Sequence, residues 1–118
     1  MANFFKGMLR TNTAPYCGDL EGPMTGLKNG QMAVTIEKGK CIAWIVGRDD
    51  VELSKETVKS ITFVESKPVQ FTGSADRTVR QASIYKIEMA NGQIGTLRLD
   101  TKQEAKVKPF FPEPQNNS

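Results

Sequence analysis

Catalysis and metal binding need side chains that exchange protons, attack electrophiles or donate lone pairs. The commonest of these, histidine, is absent from the 118 residues of this chain. That removes Ser-His-Asp and Cys-His nucleophilic catalysis, and with them the most frequent zinc ligand. The two cysteines, Cys17 and Cys41, stand apart and cannot complete a typical structural zinc site. Cys17, in "PYCGDL", reads as a loop residue beside Asp19, with nothing nearby to lower a thiol pKa strongly. Cys41 falls in the most apolar stretch and reads as core. Asp49, Asp50 and Glu52 could serve general acid–base chemistry only if they converged on a pocket. As "RDD" before a strand they read more simply as turn residues. No glycine-rich phosphate loop is present, and "TGSADRT" is a loose connection. The expectation is a protein with no catalytic residues, no metal and no cofactor, that is, not an enzyme.

Sixteen bases against thirteen acids give a net charge of +3, with the two signs interleaved along the chain. Such a balance supports solubility and a mild preference for acidic partners, but no basic tail is present. The longest apolar run, Cys41 to Val46, has six residues and cannot span a membrane. "MANFFKGMLRTN" has neither an apolar region of useful length nor a small-residue cleavage site. A cytoplasmic protein with reduced cysteines is the expectation. A Cys17–Cys41 disulfide is the alternative if a leader is missing.

The elements that would position any site are strands. Gln31 to Glu37 alternates, with Met32, Val34 and Ile36 on one face. Lys40 to Val46 is apolar on both faces, as a doubly covered strand would be. A short strand at Val51–Leu53 follows, and β-branched and aromatic residues recur in Val58–Val64, Val69–Thr72, Val79–Met89 and Ile94–Leu99. These make about seven strands, an all-β, partly open antiparallel barrel within a single domain, 1–118. Residues 1–30 form an N-terminal segment packing on the barrel, residues 31–100 the barrel, and residues 101–118 a C-terminal tail, the end segments being short helical or irregular pieces.

Asn-Gly-Gln occurs twice, at 29–31 and 91–93, but the apolar phase after each differs, so the repetition is turn chemistry and not duplication. At the second copy a three-residue loop, Ala90-Asn91-Gly92 with Gly92 left-handed, sets Met89 opposite Gln93. It puts Tyr85, Ile87, Met89, Leu97 and Leu99 on one buried face, whereas a two-residue loop mixes both faces. For "EKGK" the three-residue turn Glu37-Lys38-Gly39, pairing Val34 with Ile42 and Met32 with Trp44, is expected. A two-residue loop joining Met32, Val34 and Ile36 to Cys41, Ala43 and Ile45 is also acceptable. Trp44, Phe63, Phe71 and Tyr85 are assigned to the core.

The stretch "PMTGLKNGQMAVTIEKGKCIAWIVGRDDVELSKETVKSITFVES" with the closing "YKIEMANGQIGTLRL" resembles the strand succession of bacterial PH-like (pleckstrin-homology superfold) domains over residues 26–99. The resemblance lies in strand patterns and not in catalytic signatures. That superfold usually closes its barrel with a long C-terminal amphipathic helix, and "TKQEAKVKP" is too short for one. Either "NFFKGMLR" plugs the open end, or this is a different small barrel. PH-like domains that hold phosphoinositides use basic residues in the first hairpin loop and the next strand. The resemblance therefore marks Lys38, Lys40 and Arg48 as candidate anion-binding residues, although the Arg-x-Arg element is missing and Asp49 and Asp50 offset Arg48.

Apolar groups also lie outside the strands. Phe4, Phe5, Met8 and Leu9 share a helical face, and Phe110 and Phe111 follow the barrel. Packing on the barrel is the plainest role, and a candidate self-association interface comes next. The functional expectation is a non-catalytic binding or scaffolding module of PH-like type, engaging a protein partner or a second copy. The alternative is a small basic barrel binding acidic lipid headgroups or single-stranded nucleic acid; nucleic acid and membrane surface rank below protein as partners, and no small-molecule substrate is indicated.

Overall fold

The computed structural model describes residues 16–22, 31–45, 49–71 and 79–114. Seven strands make one antiparallel sheet: β1 (Tyr16–Glu21), β2 (Gln31–Glu37), β3 (Lys40–Trp44), β4 (Val51–Leu53), β5 (Val58–Gln70), β6 (Val79–Met89) and β7 (Ile94–Asp100). Their spatial order is β4-β3-β2-β1-β7-β6-β5, so the sheet is unclosed, with β4 and β5 as its edges. A single cluster of buried residues nevertheless draws on all seven strands, from Leu20 and Val34 through Leu53 and Ile61 to Ile87 and Leu97. A flat sheet could not bring its two edge strands into one core. The sheet therefore curls around it, which is the partly open barrel expected from the strand pattern.

The β6–β7 hairpin follows the register that burial selects. Tyr85 pairs with Leu97 and Ile87 with Gly95, the Met89 amide donates to the Gln93 carbonyl at 2.8 Å, and Gly92 has φ 91°. Tyr85, Ile87, Met89, Leu97 and Leu99 are all buried together. The β2–β3 hairpin differs from the expected three-residue turn. Glu37 pairs with Lys40, and the loop is only Lys38-Gly39 with φ of 51° and 76°. Two successive left-handed residues make the turn whose twist matches that of paired strands. The consequence is that Cys41 and Ala43 face the core, while Trp44 lies across from Ala33 on the other face.

Two boundaries also differ from expectation. Tyr16–Glu21, read as part of an irregular entry, is the central strand, pairing β2 on one side and β7 on the other. Cys17 is consequently a fully buried strand residue, not a loop thiol. The two pieces expected at 58–64 and 69–72 are one strand of 13 residues, whose register shifts at Val58/Ser60 and Phe63/Glu65 absorb its curvature.

The C-terminal residues close the core. Helix α1 (Glu104–Val107) and a following 3-10 turn (Lys108–Phe110) are short, yet Val107 and Phe111 are buried in the main cluster. Glu104 fixes this segment to the sheet by accepting hydrogen bonds from the hydroxyls of Ser83, at 2.8 Å, and Tyr85. A long helix is unnecessary because one helical turn and one phenylalanine fill the opening. The segment expected to do this, Phe4 to Leu9, lies outside the described residues.

Candidate functional site

Of the residues marked for anion binding, Lys38 and Lys40 fall among the described residues. Lys38 and Lys40 are exposed at the β2–β3 turn, where the left-handed backbone of Lys38 serves the hairpin, and Arg48 lies outside the described residues. Among the candidate interface residues, Phe111 is only 4% exposed and belongs to the core, and Phe110 is half-buried against it. For this pair the structure follows the plainer of the two expected roles, packing on the barrel, because the short helix turns both rings back onto the sheet. Phe4, Phe5, Met8 and Leu9 lie outside the described residues.

Chemistry-bearing groups converge in one place that sequence reading missed, on the sheet face opposite the main core. Cross-strand pairing sets Ile84, Arg98, Asp19, Ala33 and Trp44 in one row. Asp19 is fully buried; it accepts from the Tyr16 hydroxyl and lies 3.8 Å from the Arg98 guanidinium, which also reaches Glu21 at 3.2 Å. Tyr16 packs edge-on against buried Phe71, with ring centroids 5.9 Å apart. Burial, and then the Asp19 carboxylate, push the Tyr16 phenol far above its ordinary range. One guanidinium thus serves two carboxylates, and the protonated Tyr16 phenol donates to the buried one, tying three positions of β1 to β7. The signal of this network in the sequence was the Tyr-x-x-Asp spacing, which is legible only once 16–21 is known to be a strand.

The thiols shift in the same direction as this phenol. Burial raises both, and lifts Cys41 to about 12 with a smaller contribution from neighbouring Cys17. Both are free. Among the described residues no group of three or more His, Cys, Asp or Glu side chains could hold a metal ion. No helix among them is long and apolar enough to cross a membrane.

The surface offers a contact region instead. Large apolar side chains are exposed at Phe63 (41%), Val64 (48%), Val79 (60%) and Ile94 (44%), and the first three belong to β5 and the facing end of β6. Phe63, expected in the core, packs edge-on against Tyr85 at 5.6 Å but keeps its outer side in solvent, because β5 is an edge strand of the sheet and its register shifts at Phe63/Glu65. The last rungs, Pro68–Gln81, Val69–Arg80 and Gln70–Val79, extend beyond β7 as a two-stranded ribbon.

The free edge of this ribbon is poorly suited to strand pairing. The Met89–Gln93 bond fixes the alternation, so the backbone groups of Phe63, Ser66, Pro68 and Gln70 point away from β6. Pro68 has no amide hydrogen to offer, the shift at Phe63/Glu65 breaks the spacing, and Lys67 and Glu65 form a 3.4 Å ion pair on the strand. Stacking successive bases needs several exposed rings; among the described residues Phe63 is exposed, whereas Trp44, Phe71, Tyr85 and Phe111 are buried.

Two hollows flank these elements. One, of about 570 Å³, lies between Val79–Gln81 and the Asp100–Gln103 corner, and its principal charges, Arg80 and Asp100, already pair at 3.3 Å. The other, of about 520 Å³, lies between the β4–β5 turn, β5 and the C-terminal segment.

No protein-family model, no curated protein and no solved structure matches this chain, so the PH-like resemblance rests on its strand patterns.

Proposed function

We propose that this chain is a non-catalytic, cytoplasmic binding module on a PH-like scaffold, and that it engages a protein partner through the β5–β6 ribbon. The observation that carries this reading is the exposure of Phe63 and Val64, adjacent on β5, and of Val79, about 20 Å further along the same two strands, on elements whose edge is blunted against strand addition. Exposed apolar groups concentrated on one element, rimmed by charge, mark contact surfaces. The three rungs beyond β7, Pro68–Gln70 against Val79–Gln81, span about 10 Å, and two strands are about 10 Å wide, so one face of the free ribbon offers roughly 100 Å². A stable interface needs about 800 Å² per partner. A flat contact between two copies falls well short of that. The ribbon therefore suits a different protein whose cleft takes its edge and the face of Val79, the other face being partly covered where Val69 packs against Phe71, Ala82 and Ile84.

A photo-crosslinking residue placed at Val64 or Val79 in the producing cell should give one discrete adduct, lost when Phe63→Ser is added. The same group at Asn91, on the opposite hairpin tip, should give none. Equal adducts at all three positions, or a concentration-dependent dimer in sedimentation, would overturn the proposal.

A further inference from the structure

The groove beside the C-terminal segment is a second site, independent of the ribbon. Its floor is apolar, with Ile61 of β5 and Phe111 both buried in the core beneath it. One wall is built from Pro109, Pro112 and Pro114, around an extended Phe111 at φ −108° and ψ 156°. Three fixed pyrrolidine rings hold that wall in shape before anything binds, so little ordering is required on association. The volume, about 520 Å³, falls in the range of formed ligand sites.

The rim is charged. Lys55 comes from the β4–β5 turn and Lys108 from the start of the 3-10 turn, and both are exposed. Neither has an acidic partner within ion-pair distance among the described residues. Glu113 is the single acid in the lining, which leaves the rim at net +1 over an apolar floor. The two ammonium groups enter from different segments, so a ligand answering both must place negative charge on either side of an apolar group.

We infer that this groove binds a short acidic protein segment, extended in form, whose apolar side chain seats on Ile61 and Phe111 while its flanking carboxylates meet Lys55 and Lys108. The extended proline wall gives a linear ligand something to lie along, and its missing amide donors leave recognition to the lysines and to shape.

The test titrates the full ¹⁵N-labelled chain with three peptides: acetyl-Glu-Leu-Glu-Phe-Glu-amide, its Lys-for-Glu counterpart, and vesicle-free acetyl-Glu-Gly-Glu-Gly-Glu-amide. The first should shift the amide signals of Lys55, Ile61, Lys108 and Phe111, and the other two should not. Lys55→Glu and Lys108→Glu, both at exposed positions, should keep the native spectrum. Each should weaken the first peptide by about tenfold, as expected when an attraction becomes a repulsion of similar size. Equal binding of the acidic and basic peptides, shifts confined to other residues, or indifference to both reversals would each overturn the inference. So would the same four signals responding to anionic phospholipid vesicles but not to the acidic peptide, which would make the site a lipid-headgroup site.

Discussion

Gly18 is the position where the fold tolerates least. It lies in β1 where the register slips between Tyr16 and Gly18, and its φ is 158°. A Cβ there would stand 2.0 Å from the Arg98 carbonyl oxygen and 3.0 Å from both the Arg98 carbonyl carbon and the Leu99 Cα. Those are backbone atoms of β7 and cannot rotate aside, so β7 would have to retreat by more than an ångström from β1. The four residue pairs joining the two strands, Gly18–Leu99 to Glu21–Thr96, hold the β1–β4 half of the sheet to the β5–β7 half. Overpacking costs about 1–3 kcal/mol and the unfavourable backbone conformation about 1–3 more. Gly18→Ala should therefore lose about 3–5 kcal/mol, a large part of the roughly 5–15 kcal/mol that a domain possesses. With a urea m-value of about 2 kcal/mol/M, the midpoint should fall by about 1.5–2.5 M. Gly92→Ala is the control: it also has positive φ, at 91°, but no atom lies within 4 Å of the added carbon. It should cost about 1 kcal/mol. If Gly18→Ala unfolds no earlier than Gly92→Ala, the close approach of β1 and β7 described above is wrong.

Phe111→Ala should cost about 3–5 kcal/mol, as for a buried ring, and Phe110→Ala clearly less; similar urea midpoints would contradict the placement of Phe111 in the core. Glu104→Ala should cost about 2–3 kcal/mol by stranding the Ser83 and Tyr85 hydroxyls, with faster amide exchange across 104–111; unchanged exchange would show that Glu104 does not hold the segment. Folding raises the Cys41 pKa from 9.0 to about 12, so the neutral thiol is the form the native state favours. That contribution is complete below the unfolded value and declines as pH climbs toward the folded one, by up to about 2 kcal/mol between pH 9 and 10.5. Urea midpoints over this window should fall less steeply in Cys41→Ala than in the parent chain, since Cys17, Tyr16 and Tyr85 are shifted upward in both. Identical slopes would rule out burial of that thiol.

The parts of the fold that could be read from sequence were those where burial alone decides. In the β6–β7 hairpin one register buries five large side chains and the other none cleanly, so the pattern leaves one answer, and the structure adopts it. At "EKGK" both registers bury an acceptable set, and the twist of the Lys38-Gly39 turn decides, which hydrophobic pattern does not encode. The strand Tyr16–Glu21 was hidden because its alternation is broken by a bulge at Gly18 and because Asp19, which reads as a surface residue, is buried. The burial of Asp19 is supported by Arg98, 79 residues away in the sequence, and by the Tyr16 hydroxyl, a pairing the sequence does not display. Phe63 failed in the opposite direction. It has the alternation of a core residue, but it lies on an edge strand, beside a register shift, and hydrophobic pattern does not say which strand is the edge.

An unclosed sheet has two edges, and both are occupied or spoiled here in ways that bear on function. The β4 edge is three residues long, and its outward carbonyl, at Glu52, accepts the Thr57 hydroxyl at 2.7 Å. Thr57 and Val58 in turn donate to the Ser54 carbonyl, so the turn between the two edge strands is tied down within itself. The β5 edge is long but carries a register shift, paired charges and Pro68 where an amide donor would be needed. These are the devices by which edges are kept from pairing with other chains. Strand addition needs a run of unspent donors and acceptors at regular spacing, and neither edge supplies one. Among the described residues, what is left for a partner is side chains: the exposed apolar groups of the ribbon, or the lysine-rimmed groove beside the C-terminal segment.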